Sequence, residues 1–197
     1  MENFDVLNEF GEFENVIKTR EECHKHGLWH KAVVVFIFSK DSKKILLQKR
    51  ASSKKLWPDL WDVSAGGHVR SGEFGIDAVL RETNEELGIK LADDDVKFLG
   101  ATTSKNETAE IKNNHYNEYF IAFKDVDLTK IKIQTDEVQE VRWFEVDDLV
   151  NVIKNNFDGL TGKTGCWNYL LKYLEMRKGL WFMKKECFAN ILKEKHC

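Results

Sequence analysis

Hydrophobic and polar positions change period along the chain, and the changes mark the elements. Phe4–Leu7 and Val16–Lys18 flank a turn at Glu9–Gly11, which predicts a small N-terminal hairpin. Ala32–Phe38 is an apolar run rich in Val, Ile and Phe, the composition of a strand. Lys40-Asp41-Ser42 turns the chain into a second strand, Lys44–Gln48. A polar loop, Lys49–Leu60, then leads to a short strand at Trp61–Ser64. The period next becomes helical: Ile76, Val79, Leu80, Thr83 and Leu87 form one apolar face, and Gly88 follows where a C-cap residue belongs. Val96–Thr102, Tyr119–Phe123 and Val138–Val146 read as further strands. Val146–Ile153 begins a second helix, with Asp147 and Asp148 in the turn where the helix dipole favours them. The tail, Cys166–Leu192, is helical in pattern. Trp167, Leu170, Leu171 and Leu174 line one face, and Phe188, Ile191 and Leu192 another. These alternations predict an α/β (α+β) fold, a mixed sheet with helices on its faces.

Composition narrows the class. The 197 residues suffice for one sizeable core, and there is no repeat or flexible linker. The expectation is a single domain over 1–197, with a core at about 30–155, an N-terminal hairpin extension at 1–29 and a C-terminal helical extension at 156–197. A net charge of −3 gives no reason to expect nucleic acid or an anionic membrane as partner. Ala32–Phe38, the longest apolar run, is too short to cross a bilayer, and the acidic N-terminus does not resemble a signal peptide. Cys23, Cys166, Cys187 and Cys197 show no CxxC pairing, so reduced thiols in a cytoplasmic protein are expected. Trp167, Leu170, Leu171, Trp181 and Phe182 offer an apolar face to the domain's own core or to a homodimer.

The chemistry concentrates on the helix before Gly88. Glu82, Glu85 and Glu86 stand at i, i+3 and i+4, which puts three carboxylates on one side. Like charges so close repel, and a hard divalent cation that prefers oxygen ligands would relieve them. A solvated acidic face is the alternative when the triplet is taken alone.

The surrounding residues favour the cation. Gly67, Glu73, Arg81, Glu82, Glu85, Glu86, Gly88 and Ile89 fall at the spacing of the Nudix box, which this segment resembles from end to end. Seven fixed positions matching at about 7% each would coincide on the order of 10⁻⁸ times per start point. The resemblance implies a loop–helix–loop packed on a mixed sheet in an α/β/α sandwich. It further implies a Mg²⁺ or Mn²⁺ site held by Glu82, Glu85 and Glu86, with a backbone carbonyl near Gly66. Glu73 and Arg81 correspond to an ion pair that fixes the loop, which makes them structural with Gly67 and Gly88. Another acid from outside the box often serves as ligand or base; Glu137 is the first candidate and Glu118 the second, each equally readable as a surface carboxylate. The implied reaction is hydrolysis of a phosphoanhydride in a small diphosphate, with Glu82 the leading base and Glu137 the alternative.

The likeness extends from about Val16 to Leu149. LWHKAVVVFIF and LLQKRASSKKLWPDLWDVSAGGH resemble the Nudix branch that includes type I isopentenyl diphosphate isomerase and its hydrolase relatives. In the isomerase, histidines and carboxylates near the active site hold a metal, and His24, His30, His68 and Glu118 sit at comparable places. His24 and His26 read equally as surface histidines. The last isomerase ligand would be a Glu where this chain has Tyr116. The isomerase cysteine that moves a proton at carbon would fall at Gly66, which has no side chain to do so. The intact box and Gly66 favour a hydrolase of a nucleoside diphosphate or related compound over an isomerase-like enzyme. They also favour it over a non-catalytic nucleotide-binding module, since such modules usually lose box carboxylates. Arg50, Lys54 and Lys55 are candidates to meet the terminal phosphate, with His68 beside it and a tryptophan, Trp57 or Trp61, stacked on a base or prenyl chain. A solvated basic loop over core tryptophans is the other reading.

Overall fold

The computed structural model describes residues 2–107, 112–155, 157–162 and 165–177. The chain divides into two compact units, 1–163 and 164–197. The second contributes one described helix, α4, over 165–177, in which Trp167, Leu170 and Leu174 are buried. Trp181, Phe182, Cys187, Phe188, Ile191, Leu192 and Cys197 lie outside the described residues.

The first unit opens with the expected hairpin, β1 (Asn3–Leu7) and β2 (Phe13–Thr19), paired antiparallel. Helix α1 (Arg20–His26) follows directly. Thr19 and Glu22 form a capping box, each side chain accepting the other's backbone N–H, and Gly27 closes the helix at φ 65°. The hydrophobic pattern predicts no element here. The segment's apolar content is too low for a helical stripe, and only the Thr-x-x-Glu spacing announces it.

A seven-stranded mixed sheet forms the body. Its main order is β5 (Trp61–Asp62), β4 (Lys44–Arg50), β3 (His30–Phe38), β8 (Lys112–Phe123) and β7 (Val96–Glu107). Strand β9 (Val138–Glu145) lies along β4, and β6 (Ala65–His68) along β3. The β3–β8 pairing is parallel, and the others are antiparallel. Strand β4 touches β3 only at Ile37 and Phe38, while β6 takes the same edge from Ala32 to Val35. The segment around Ser64 therefore splits into two strands where one was expected.

Strand β8 begins at Lys112, well before the expected Tyr119. Its first half is polar and reads as loop, but neighbours on both sides draw it into the sheet. Asn114 donates to the Gly27 carbonyl at 2.7 Å and Asn117 to Ser104 Oγ at 2.8 Å, so their burial is partly compensated.

Helix α2 (Gly75–Leu87) lies on the sheet, and α3 (Val146–Asn155) follows β9. Val79 and Leu87 of α2 join Val33, Val35, Ile37, Leu46, Phe120 and Val138 in the main core. The buried line of α2 runs through Gly75, Ala78, Val79, Thr83, Glu86 and Leu87, leaving Ile76 and Leu80 only partly covered. That rotation puts Glu86 at the sheet, on the buried side of the helix. Gly88, at φ 66°, ends the helix by donating to the Asn84 carbonyl.

Candidate active site

Five segments converge on the C-terminal half of α2. Glu86 is the focus. Its side chain is buried, its Oε2 accepts from Gln48 Nε2 on β4 at 3.1 Å, and the Gly66 amide on β6 approaches at 3.3 Å. Burial pushes its carboxyl up to about 8, and the nearby charges of Glu82 and Glu137 push the same way. The turn carrying Glu137 is tied to α2 because Gln134 N–H donates to the Glu86 carbonyl at 2.9 Å.

Glu82 is also largely withdrawn from water. Burial raises its carboxyl, against the opposing pull of Arg81. There is no room for a side chain at residue 67, because a Cβ there would overlap the Glu82 carboxylate. Glu85 is the most exposed of the three, at 42%.

Arg81 organises the entry to the helix. Its Nε and Nη2 bond the two oxygens of Glu73 at 2.8 and 2.9 Å, and Nη2 also donates to the His68 carbonyl at 2.9 Å. Nη1 reaches Glu82 at 2.7 Å and Glu85 at 3.3 Å. Burial alone would raise the Glu73 carboxyl, but the bonds from Arg81 and the Arg70 amide outweigh it and hold it below the usual carboxylate range. One guanidinium thus joins the loop, strand β6 and two of the three box carboxylates.

The basic loop comes to the same place. Ala51 N–H donates to the Glu137 carbonyl at 3.0 Å, and Lys54 forms an ion pair with the Glu137 carboxylate. Arg50 is anchored by buried Asp62 at 3.2 Å and by the Leu56 carbonyl at 3.1 Å. Lys55 is exposed on the same loop. Trp61 packs edge-on against Phe144, with Arg142 over its ring, so its surface is used within the sheet.

Two expected site residues lie elsewhere. Glu118 pairs with Lys31 at 2.8 Å and abuts Gly75, at the opposite end of α2 from Glu86. His68 enters a cluster with His24, His30 and His115, its ring stacked on Phe4 at 4.8 Å, rather than facing the loop that holds Lys54. Strand alternation explains this: β6 sends Gly67 toward Glu82 and so turns its neighbour His68 the other way. The sequence reading missed Gln48, an ordinary polar residue in a strand, and His115, hidden in the polar start of β8. For Gln48 the only signal was a polar residue at the end of the apolar run Ile45–Leu47.

A set of three carboxylates on a helix, one of them buried against the sheet, clamped to a preceding loop by one arginine, is the arrangement of a Nudix site. The NUDIX domain model matches residues 28–160. The chain is 33% identical over 156 residues to Nudix hydrolase 3 of Arabidopsis thaliana, a match covering 77% of this chain and 20% of that protein. The chain thus corresponds to about a fifth of the Arabidopsis protein's length. It is also 31% identical over 147 residues to an isopentenyl-diphosphate Δ-isomerase of Cereibacter sphaeroides, covering 71% of this chain and 77% of the isomerase. The crystal structure of a Deinococcus radiodurans protein superposes with a TM-score of 0.60 at 21% identity, over 82% of this chain and 93% of the other. The chain belongs to the Nudix hydrolase family, and its mixed α+β fold is that of the family.

Proposed function

We propose that this protein is a divalent-metal-dependent hydrolase that cleaves a phosphoanhydride bond in a nucleoside diphosphate or a related small molecule. The observation that carries this reading is Glu86, a carboxylate buried beside Glu82 with only neutral hydrogen-bond donors of its own. Such a pair is poorly stable as two anions and suits a cation. The donors are all oxygens, the chemistry that Mg²⁺ or Mn²⁺ prefers. Glu82, Glu85 and Glu86 would hold the metal, with the Gly66 carbonyl as a further donor. Once bound there, the ion would neutralise the diphosphate and acidify water.

The chain's own residues then have distinct tasks. Glu82, one of the box carboxylates, takes the proton of the attacking water. Glu137 is the alternative, provided that substrate draws Lys54 away from it. Lys54 and Lys55 meet the terminal phosphate, and Arg50 acts mainly by bracing their loop. Glu73 and Arg81 hold the loop and helix in register.

The isomerase relative favours a second reading, proton transfer at carbon. Gly66 weighs against it: a Cβ there would lie 2.6 Å from the Val33 carbonyl oxygen, so the backbone leaves no space for an acid–base side chain. The deciding experiment incubates the purified chain with Mg²⁺ or Mn²⁺ and a panel of nucleoside di- and triphosphates, nucleotide sugars, dinucleotide polyphosphates and isopentenyl diphosphate. Phosphate-ester or orthophosphate products from at least one nucleotide are expected. No hydrolysis anywhere, with isomerised product from isopentenyl diphosphate, would replace this reading with the second.

A further inference from the structure

The loop that carries Lys54 and Lys55 is closed at its neck, where Arg50 N–H donates to the Leu60 carbonyl at 2.9 Å. The Arg50 side chain braces the loop from within. Its Nε donates to the Leu56 carbonyl at 3.1 Å, and its Nη1 to Asp62 Oδ2 at 3.2 Å. The loop backbone is not at rest. Trp57 and Asp59 have φ of 51° and 61°, left-handed values that cost a residue with a side chain and persist only where the surroundings impose them. The placing of the loop therefore depends on what holds Asp62.

Asp62 is 1% exposed, so protein groups must satisfy its carboxylate. Its second oxygen, Oδ1, accepts from the Val63 amide at 2.9 Å and from the Thr161 hydroxyl at 3.1 Å. Thr161 is fully buried and belongs to a strap that follows α3. Strand β5 is only two residues long and pairs with β4 on one side. The strap takes its other side: Trp61 N–H donates to the Gly159 carbonyl at 2.8 Å, and Thr161 N–H to the Trp61 carbonyl at 2.9 Å, with Leu160 alongside Trp61 in a parallel bridge. The backbone at Gly162 then lies against the loop, where a Cβ would stand 3.2 Å from Trp57 Nε1. Any residue could make the backbone bonds, but only a hydroxyl at 161 reaches the carboxylate. The terminal torsion of an aspartate is soft and roughly two-fold. Without that hydroxyl the carboxylate plane is free to turn and Oδ2 to leave Arg50.

We infer that Thr161 is a positioning residue of the substrate site: its hydroxyl sets the plane of the Asp62 carboxylate, Asp62 sets the Arg50 guanidinium, and Arg50 sets the loop that presents Lys54 and Lys55. Being fully buried, Thr161 meets no substrate itself. The inference rests on the proposed function, in which the two lysines meet the terminal phosphate. It gives the segment after α3 a share in substrate affinity and none in the chemistry, because the carboxylates of α2 are held separately by Arg81 and Gln48.

The test compares Thr161→Val, which keeps the shape and loses the hydroxyl, with Thr161→Ser, which keeps the hydroxyl and loses a buried methyl group. Kinetics use the full-length chain with Mg²⁺ and whichever nucleotide of the panel above the wild type hydrolyses best. Loop order is read by brief trypsin digestion, with cleavage after Lys54 and Lys55 mapped by mass spectrometry. Thr161→Val should raise KM roughly tenfold, the worth of one charged hydrogen bond, with kcat within about twofold of wild type. It should also speed cleavage at the two lysines. Thr161→Ser should match wild type in both readouts even with a lower melting temperature, a separation that a purely structural role would not produce. Should Thr161→Val not fold, Asp62→Asn takes its place: it keeps an oxygen for Val63 and Thr161 but turns an amide to Arg50, and the same rise in KM and faster cleavage are expected. The inference is overturned if KM or the cleavage pattern stays at wild type in the folded variant, if kcat falls in place of a rise in KM, or if Thr161→Ser is as impaired as Thr161→Val. A wild-type chain that hydrolyses no nucleotide would overturn the proposed function instead, and the trypsin comparison would then decide by itself whether Thr161 holds the loop.

Discussion

Gln48 Nε2 donates to Glu86 Oε2 at 3.1 Å across the interface between β4 and α2. Burial pushes the Glu86 carboxyl up to about 8, and a neutral donor such as Gln48 is too weak a partner to offset it. The carboxyl's ordinary value is 4.5, so between the two values the folded chain binds the extra proton and stability falls as pH rises. The buried histidines act with the opposite sign below about pH 6.5. In the window from about 6.5 to about 8 the histidines no longer contribute, and the difference between wild type and Glu86→Gln reads Glu86. In chelator, wild-type melting temperature should drop across that window relative to Glu86→Gln, as read by calorimetry. A pH-independent difference between the two proteins would show that Glu86 does not carry this titration.

Glu86→Gln keeps the shape and the Gln48 contact but not the charge. Metal-dependent turnover should be lost, and the chelated variant should melt no lower than wild type, because a desolvated carboxyl has been removed. Glu85→Gln, more exposed, should lose activity with little change in stability, since surface substitutions cost within about 0.5 kcal/mol. Wild-type rates in both variants would sink the metal-site reading. Turnover and melting curves on the same preparations provide the check.

Glu73→Gln should act through stability. It breaks a bidentate pair in which Arg81 is only 15% exposed, and leaves that guanidinium less well satisfied. Loss of about 1–3 kcal/mol is expected from charged hydrogen bonds of this kind, which corresponds to roughly 2–4 °C per kcal/mol in a chain of this size. An unchanged melting temperature with weakened Mg²⁺ binding would instead make Glu73 a ligand.

Gly67→Ala places a methyl group against the Glu82 carboxylate. The obstacle is the end of a side chain, so the fold should persist while the carboxylate shifts. A misplacement of about 1 Å can cost on the order of 100-fold in rate. Activity should fall far more than melting temperature does. If kcat/KM is unaffected, the position of Glu82 is not critical to the reaction.

Isopentenyl diphosphate with Mg²⁺ should yield no dimethylallyl isomer, because proton transfer at carbon needs an acid and a base on opposite faces of the substrate. Gly66 supplies neither. Chromatographic separation of the two isomers, with a protein-free incubation as control, reads the outcome. Isomer formed above that control would promote the second reading.

Local sequence determined much of this protein. The 3.6 period of Ile76–Leu87, the apolar runs of β3 and β4, and the spacing from Gly67 to Ile89 are short-range patterns. They identified the central helix, most strands and the carboxylates Glu82, Glu85 and Glu86 without knowledge of any long-range contact. Tertiary structure decided what depends on pairing between distant segments. Strand β8 extends through polar Lys112–Glu118 because β3 and β7 supply its hydrogen bonds, not because those residues favour a strand. Glu86 is buried rather than solvated because the sheet selects which side of α2 it covers. His115 joins His24, His30 and His68 only through the parallel register His30↔His115, which no local pattern encodes. A register is a choice among long-range alternatives, set by the whole buried face at once.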